Sequence, residues 1–262
     1  MALPLEKLGT TYDASTEVID PERARAYATA TNDPNPKYAD GTYAPPVFGV
    51  VPTWGAMGLA VADVVPGEAL MMIVHGEQDM HFHQPLVPGT KLTTTATAHS
   101  VRVGGSGTRY TIQVDSKDDA GEPVLTEYVT MFIRGMSDGE SGGPDKPSHE
   151  VDLASATEVG TFSVHVDDAF AKQVGLPGII AHGLCTMAMC SQAVVQLVAD
   201  GDPRRIKRLA VRFASNVFPG SDVETTVYAV APDEAGNVTY AFEATSNGAT
   251  VIKNGLAEVA PA

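Results

Sequence analysis

The chain has 262 residues, 44% hydrophobic and 19% charged, and its 17 Lys+Arg against 32 Asp+Glu give a net charge of −15. That composition excludes a disordered or fibrous chain and supplies enough apolar side chain for one large core or two smaller ones. The negative balance argues against a general nucleic-acid binder, and two cysteines five apart, Cys185 and Cys190, make neither a disulfide framework nor a metal-ligand spacing.

The first residues, MALPLEKLGTTYDAS, lack the basic start and apolar run of a signal peptide. The longest apolar stretches, such as Val47 to Val64, carry Pro, Thr, Trp and Gly, so no membrane span is expected and a cytoplasmic protein is. Asp20 caps a predicted helix, PERARAYATAT, with Pro21 in its first turn. The turn-rich NDPNPKYADG follows, then APPVFGVVPTWGAMGLAVADVV, long enough for a buried helix. Four strand-like runs come next, beginning at EALMMIVHGEQDMHFHQPL, and turns at GGSG and DDAG separate the last three. Residues 135–149, GMSDGESGGPDKPSH, have almost no apolar content and read as a surface linker.

The second half repeats the pattern. A loop carries SVHVDDAFAKQVGLPG, with Asp167 and Asp168 expected to cap a helix from Ala169. An apolar helix, IIAHGLCTMAMCSQAVVQLVA, and four further strand-like runs follow, with turns at DEAG and SNG. The sharpest internal match is HFHQPLVPG (81–89) against RFASNVFPG (212–220). The expected architecture is α+β: two tandem units, 1–134 and 150–262, joined by 135–149. Each is an antiparallel sheet wrapped around a long central helix, the two pairing as a pseudo-dimer.

Three patterns, HVDDAFAKQVGLPGIIAHGLCTMAM (165–189), HGEQDMHFHQPLVPG (75–89) and KRLAVRFASNVFPG (207–220), together with the duplication, make the chain resemble the MaoC-like dehydratases, or type 2 (R)-specific enoyl-CoA hydratases, in their double-hotdog form. The resemblance implies two hotdog domains and an acyl thioester substrate, carried by coenzyme A or acyl carrier protein. The reaction is reversible water addition across C2–C3 of a trans-2-enoyl thioester, giving the (R)-3-hydroxyacyl product, with no metal or other cofactor. It also implies a homodimer or a second hotdog subunit as protein partner. In that chemistry an acid/base pair handles the water and a helix-start amide stabilises the enolate-like oxygen. Residue by residue, His165 matches the family's catalytic His, Gly183 the oxyanion glycine and His182 the His before it.

The family's Asp-x-Asn-Pro-x-His loop is broken in both halves. Gly160 stands where the second half needs its Asp. The first half keeps Asp33, Asn35 and Pro36 but has Tyr38 in place of the His, and Phe48-Gly49 in place of His-Gly. Asp33, Asn35 and Tyr38 are thus candidates for shaping the substrate groove, with plain turn chemistry as the other reading. Glu158 is the nearby carboxylate considered as a substitute Asp. Arg204, Arg205, Lys207, Arg208 and Arg212 form a basic cluster, read either as a seat for coenzyme A phosphates, with Arg208 among the contacts, or as a solvated strand edge. Cys185 and Cys190 read as inert core thiols, and Met187 and Met189 as core or acyl-groove lining. His75, His81 and His83 lack a further ligand to complete a metal site. The leading function is a hydratase or dehydratase. The alternatives are a degenerate hotdog that binds acyl thioesters as a non-catalytic partner, and an altered-chemistry dehydratase or cyclase.

Overall fold

The computed structural model describes residues 2–153, 156–165, 181–232 and 236–262. Its chain divides into two compact units. Unit 1 comprises Met1–Ile19, Gly49–Gln84 and Gly89–Ser148; unit 2 comprises Asp20–Phe48, Pro85–Pro88 and His149–Ala262. The second unit therefore takes in a segment from the first half of the sequence.

Unit 1 is a five-stranded antiparallel sheet of β1 (Ser15–Val18), β2 (Ile73–Phe82), β3 (Lys91–Gly104), β4 (Gly107–Lys117) and β5 (Pro123–Arg134), in the order β1-β3-β4-β5-β2. Unit 2 has β6 (Thr157–His165), β7 (Ile206–Phe213), β8 (Asp222–Pro232), β9 (Val238–Ser246) and β10 (Ala249–Val259), in the order β6-β8-β9-β10-β7. The two orders are the same, so the duplication legible at the Pro-Gly pairs extends to whole-sheet topology. The registers agree as well. Val18 pairs with Lys91, two residues after Gly89, and His165 pairs with Asp222, two residues after Gly220. The β9–β10 hairpin turns on Asn247 and Gly248, both at positive φ, as a tight Asn-Gly turn requires.

Unit 2 also holds α1 (Pro21–Ala30), with Asp20 accepting from Arg23 N as its N-cap, and the single turn α2 (Pro36–Ala39). Each sheet carries one long helix. In unit 1, α3 (Val50–Val64) packs Ala56, Met57, Ala60 and Val64 against Ala96, Ile112, Val129 and Ile133. The alanines let the helix approach the sheet closely, at a gain of about 25 cal/mol per Å² of apolar surface buried. The opposite face of α3 leaves Trp54 and Leu59 exposed. By length and composition alone Pro46–Val64 passes for a membrane span, but in the fold its Ala56–Val64 face is core. In unit 2, α4 (Gly183–Val198) is buried nearly all round, from Leu184 to Val198, Met187, Met189 and Cys190 included. Thr225 Oγ1 donates to Cys190 Sγ at 3.4 Å, and burial pushes that thiol up to about 12, so it is an inert core group.

The 135–149 segment is pinned across β3 rather than free. Gly142 pairs with Val101, and Arg102 donates to Gly142 O at 2.7 Å, Pro144 O at 2.9 Å and Asp145 Oδ1 at 2.6 Å.

Candidate active site

The start of α4 is the best-built part of the site. His182, in extended conformation, is the N-cap, and its Nδ1 accepts from Leu184 N at 3.2 Å. The amides of Cys185 and Thr186 go to His182 O. The Gly183 N–H is left as the first-turn amide with no acceptor among the described residues, where the helix dipole favours negative charge. Ala181 N donates to Val217 O at 2.8 Å, anchoring the entry to the helix. A Cβ on Gly183 would lie 3.1 Å from the Phe213 ring, so the glycine admits close packing against the end of β7.

His165 is the last residue of β6, not a loop residue, and stands in register opposite Asp222. The reason is a shortened connection. From strand end to helix start the chain runs Val18 to Phe48 in the first copy and His165 to His182 in the second, 13 positions fewer. His165 therefore takes the register place of Val18, which is 46% exposed. It nevertheless lies toward the Gly183 end of α4. Gly160 packs near Leu197, while Thr225, the partner of Phe162, touches Cys190. Moving along β6 from Gly160 to Phe162 thus moves up the helix toward its start, and His165 continues the same way. Glu158 cannot replace the missing Asp, because it stands seven strand positions, roughly 23 Å, from His165. Asp167 and Asp168 lie outside the described residues.

The first-half motif folds as turn chemistry within unit 2. Asp33 Oδ1 accepts from Asn35 N at 3.1 Å. Asn35 Oδ1 caps α2 through Lys37 N at 3.0 Å, and its Nδ2 donates to Gly201 O at 2.9 Å. Asn35 is buried, and its side-chain oxygen and nitrogen each hold a bond within the fold. Gln192 Nε2 on α4 donates to Asn32 O at 3.0 Å, which fixes the loop beside the middle of the helix. Burial pushes the Asp33 carboxyl up to about 6, partly offset by the Asn35 N–H. Tyr38 is 1% exposed; burial first, then the charges of Asp33 and Asp202, push its hydroxyl well up.

The basic cluster is not a free anion seat. Arg208 is buried and pairs with Glu258, its register partner, at 3.3 Å. Arg204 grips Asp202 through Nε at 2.9 Å, Arg205 pairs with Asp200, and Arg212 lies 4.0 Å from Glu150. Lys37 completes the Asp202 pair at 3.0 Å, and these cations, Arg204 first, hold that carboxyl well below the usual carboxylate range. Nearby carboxylates thus pair the four arginines of the cluster, while Lys207 Nζ donates to Arg204 O at 3.2 Å. Among the histidines of unit 1, His81 Nε2 lies 3.1 Å from Asp79 and His83 Nε2 lies 3.1 Å from Thr126.

Sequence reasoning missed Glu127. It is 1% exposed, inside unit 1, with Gln78 Nε2 donating to its Oε1 at 2.9 Å. Burial pushes its carboxyl up to about 7, against the favourable bonds from Thr53 and Gln78. The signal was present in strand parity: positions 125, 127, 129, 131 and 133 read Leu, Glu, Val, Met, Ile, a carboxylate in an inward-facing row.

A sheet wrapped on a long helix, twice in one chain, defines a double hotdog protein. Residues 156–251 match the MaoC like domain and residues 37–135 match the MFE-2 hydratase 2 N-terminal domain. The chain thus carries a MaoC-like dehydratase domain and a hydratase 2 N-terminal domain. It is 26% identical over 246 residues to a probable enoyl-CoA hydratase 2 of Dictyostelium discoideum, covering 82% of each chain. It is 27% identical over 241 residues to the peroxisomal multifunctional enzyme type 2 of Mus musculus, covering 83% of this chain and 32% of that one. The solved MaoC-like dehydratase from Phytophthora capsici shares the fold with a TM-score of 0.81 at 23% identity, over 98% of this chain and 97% of that one.

Proposed function

We propose that the protein is a hydratase/dehydratase that adds water to, or removes it from, C2–C3 of an acyl thioester, converting a trans-2-enoyl-CoA and its (R)-3-hydroxyacyl counterpart. The start of α4 carries the reading: a His182-capped, Phe213-packed turn that presents the Gly183 amide. As water oxygen bonds to C3, the π electrons move to the thioester oxygen, and the Gly183 N–H stabilises that charge. C2 then takes a proton. His165, at the same end of α4, is proposed to accept the proton from water and return one to C2. Its register partner Asp222 is the carboxylate proposed to act beside it in place of the one lost at Gly160. The reaction needs no metal or redox cofactor, and the cytoplasm is the proposed compartment. Because the arginine cluster is internally paired, it is not proposed as the phosphate seat.

The test is loss of enoyl absorbance with crotonyl-CoA and trans-2-octenoyl-CoA. Wild type is expected to turn over, His165→Ala to lose about 10²–10⁴ in rate, and Gly183→Ala about 10² because its methyl meets Phe213. Wild type that binds acyl-CoA without hydrating it would overturn the enzymatic reading in favour of a binding subunit.

A further inference from the structure

The chain between β7 and β8 is tied to both parts of the proposed site. Val217 O accepts from Ala181 N at 2.8 Å at the entry to α4, and Asp222, which opens β8, is the register partner of His165. Between those two ties, Phe218 to Ser221 form a tight turn. Ser221 N donates to Phe218 O at 3.2 Å, Pro219 takes the second position and Gly220 the third, at a φ of +81°. The turn buries Val217 and leaves Phe218 50% exposed. The start of α4 is open to solvent as well: His182 is exposed, and Gly183 and Cys185 are half-buried.

A single exposed apolar side chain is ordinary on a protein surface; what sets Phe218 apart is where the turn holds it. The first copy offers the comparison. There Leu86 O accepts from Ala44 N at 2.8 Å and Leu86 is buried, as Val217 is, but the residue before Pro88-Gly89 is Val87. Of the two copies, the one that keeps His182-Gly183 at its helix start has the aromatic ring beside it, and the one with Phe48-Gly49 has a valine. A thioester whose oxygen meets the Gly183 N–H must send its carrier outward across the open rim of the site. Phe218 stands one residue from the Ala181 anchor and four from Asp222. That places it close to the reacting carbons, beside the arm that leads away from the sulfur and short of the nucleotide at the arm's far end.

We infer that Phe218 is the contact residue for the pantetheine arm of the thioester, its ring packing on the methylene and amide groups beyond the cysteamine amide. The inference rests on the acyl-thioester reading above and names the part of the carrier that the site holds, the part that coenzyme A and acyl carrier protein share.

The experiment uses saturated ligands, so it does not depend on turnover. Binding of the butyryl thioesters of coenzyme A, pantetheine and N-acetylcysteamine to the full chain is measured by calorimetry, the last by displacement of butyryl-CoA. Phe218→Ala is expected to weaken the coenzyme A and pantetheine thioesters about tenfold, what covering roughly 50 Å² of ring is worth. The N-acetylcysteamine thioester, which lacks the rest of the arm, is expected to change by less than about twofold. Phe218→Val, the side chain of the first copy, should fall between wild type and Phe218→Ala, and it serves alone if the alanine variant fails to fold. No loss with any ligand, an equal loss with all three, or a loss confined to the coenzyme A thioester overturns the arm contact and leaves the hydratase reading standing. Failure of wild type to bind any of the three overturns both.

Discussion

Glu127 shows how one residue can set a pH response. Its carboxyl sits at about 7 in the folded chain because burial disfavours the anion, against about 4.5 when solvated. A raised folded value means that the native state holds a proton that the unfolded chain releases in that window. Stability is therefore fully present below about 4.5 and falls as pH rises toward 7. The integrated loss is about 3 kcal/mol, at 1.36 kcal/mol per pH unit. Glu127→Gln keeps an acceptor for Gln78 and removes the titration. Urea melts from pH 4.5 to 8 should show the variant's stability curve flat where the wild type declines, with the variant more stable at pH 8. Parallel curves would mean that the carboxyl is ionised in the fold. Asp33 follows the same sign with a smaller window, up to about 6. The Asp33–Asn35 turn was legible from Asp-Pro-Asn-Pro alone, but the reach of Asn35 to Gly201 was not, because nothing local marks a bond between residues so far apart in sequence.

At the scale of elements, the strands and the two long helices follow from alternation and apolar length, and the equivalence of β1 with β6 follows from the Pro-Gly registers. The reading failed where a connection changed length. Motif spacing matched His165 to a loop histidine, but with the connection shortened by 13 positions the strand pairing runs through His165 to Asp222. Composition likewise marked 135–149 as surface chain, yet a run of Gly, Ser and Asp cannot reveal that Arg102 gathers its carbonyls. The segment depends on Gly143, whose φ is +81° and whose Cβ would fall 2.3 Å from His99 O. Gly143→Ala is expected to cost about 2–4 kcal/mol, from the left-handed backbone and the displaced strap together. Ser141→Ala, which removes only its bond to Val103 N, should cost about 1 kcal/mol or less. Equal effects in thermal melts would show that the strap is not held by its backbone path.

For the whole molecule, the two sheets are copies but the two helices are not equally enclosed. α3 leaves Trp54 and Leu59 exposed, whereas α4 is buried nearly all round. The difference traces to Asp20–Phe48, which belongs to unit 2 although the sequence places it before the first long helix. It supplies Asn32 O to Gln192, takes Gly201 O through Asn35, and gives Lys37 to Asp202. Gln192 is itself 3% exposed, so without Asn32 its amide would lose a partner on an apolar helix. A repeat boundary drawn at the linker therefore cuts through the core of unit 2. A fragment of residues 149–262, complete in its five strands and α4, should lack a cooperative melt and near-ultraviolet circular dichroism, and should bind a hydrophobic dye. Adding a synthetic 20–48 peptide should restore protection of the α4 amides to hydrogen exchange, because the peptide carries the groups that bond Gln192 and Gly201. A fragment that melts cooperatively on its own would mean that the sheet and α4 suffice and that the borrowed segment is an ornament of the fold rather than part of its core.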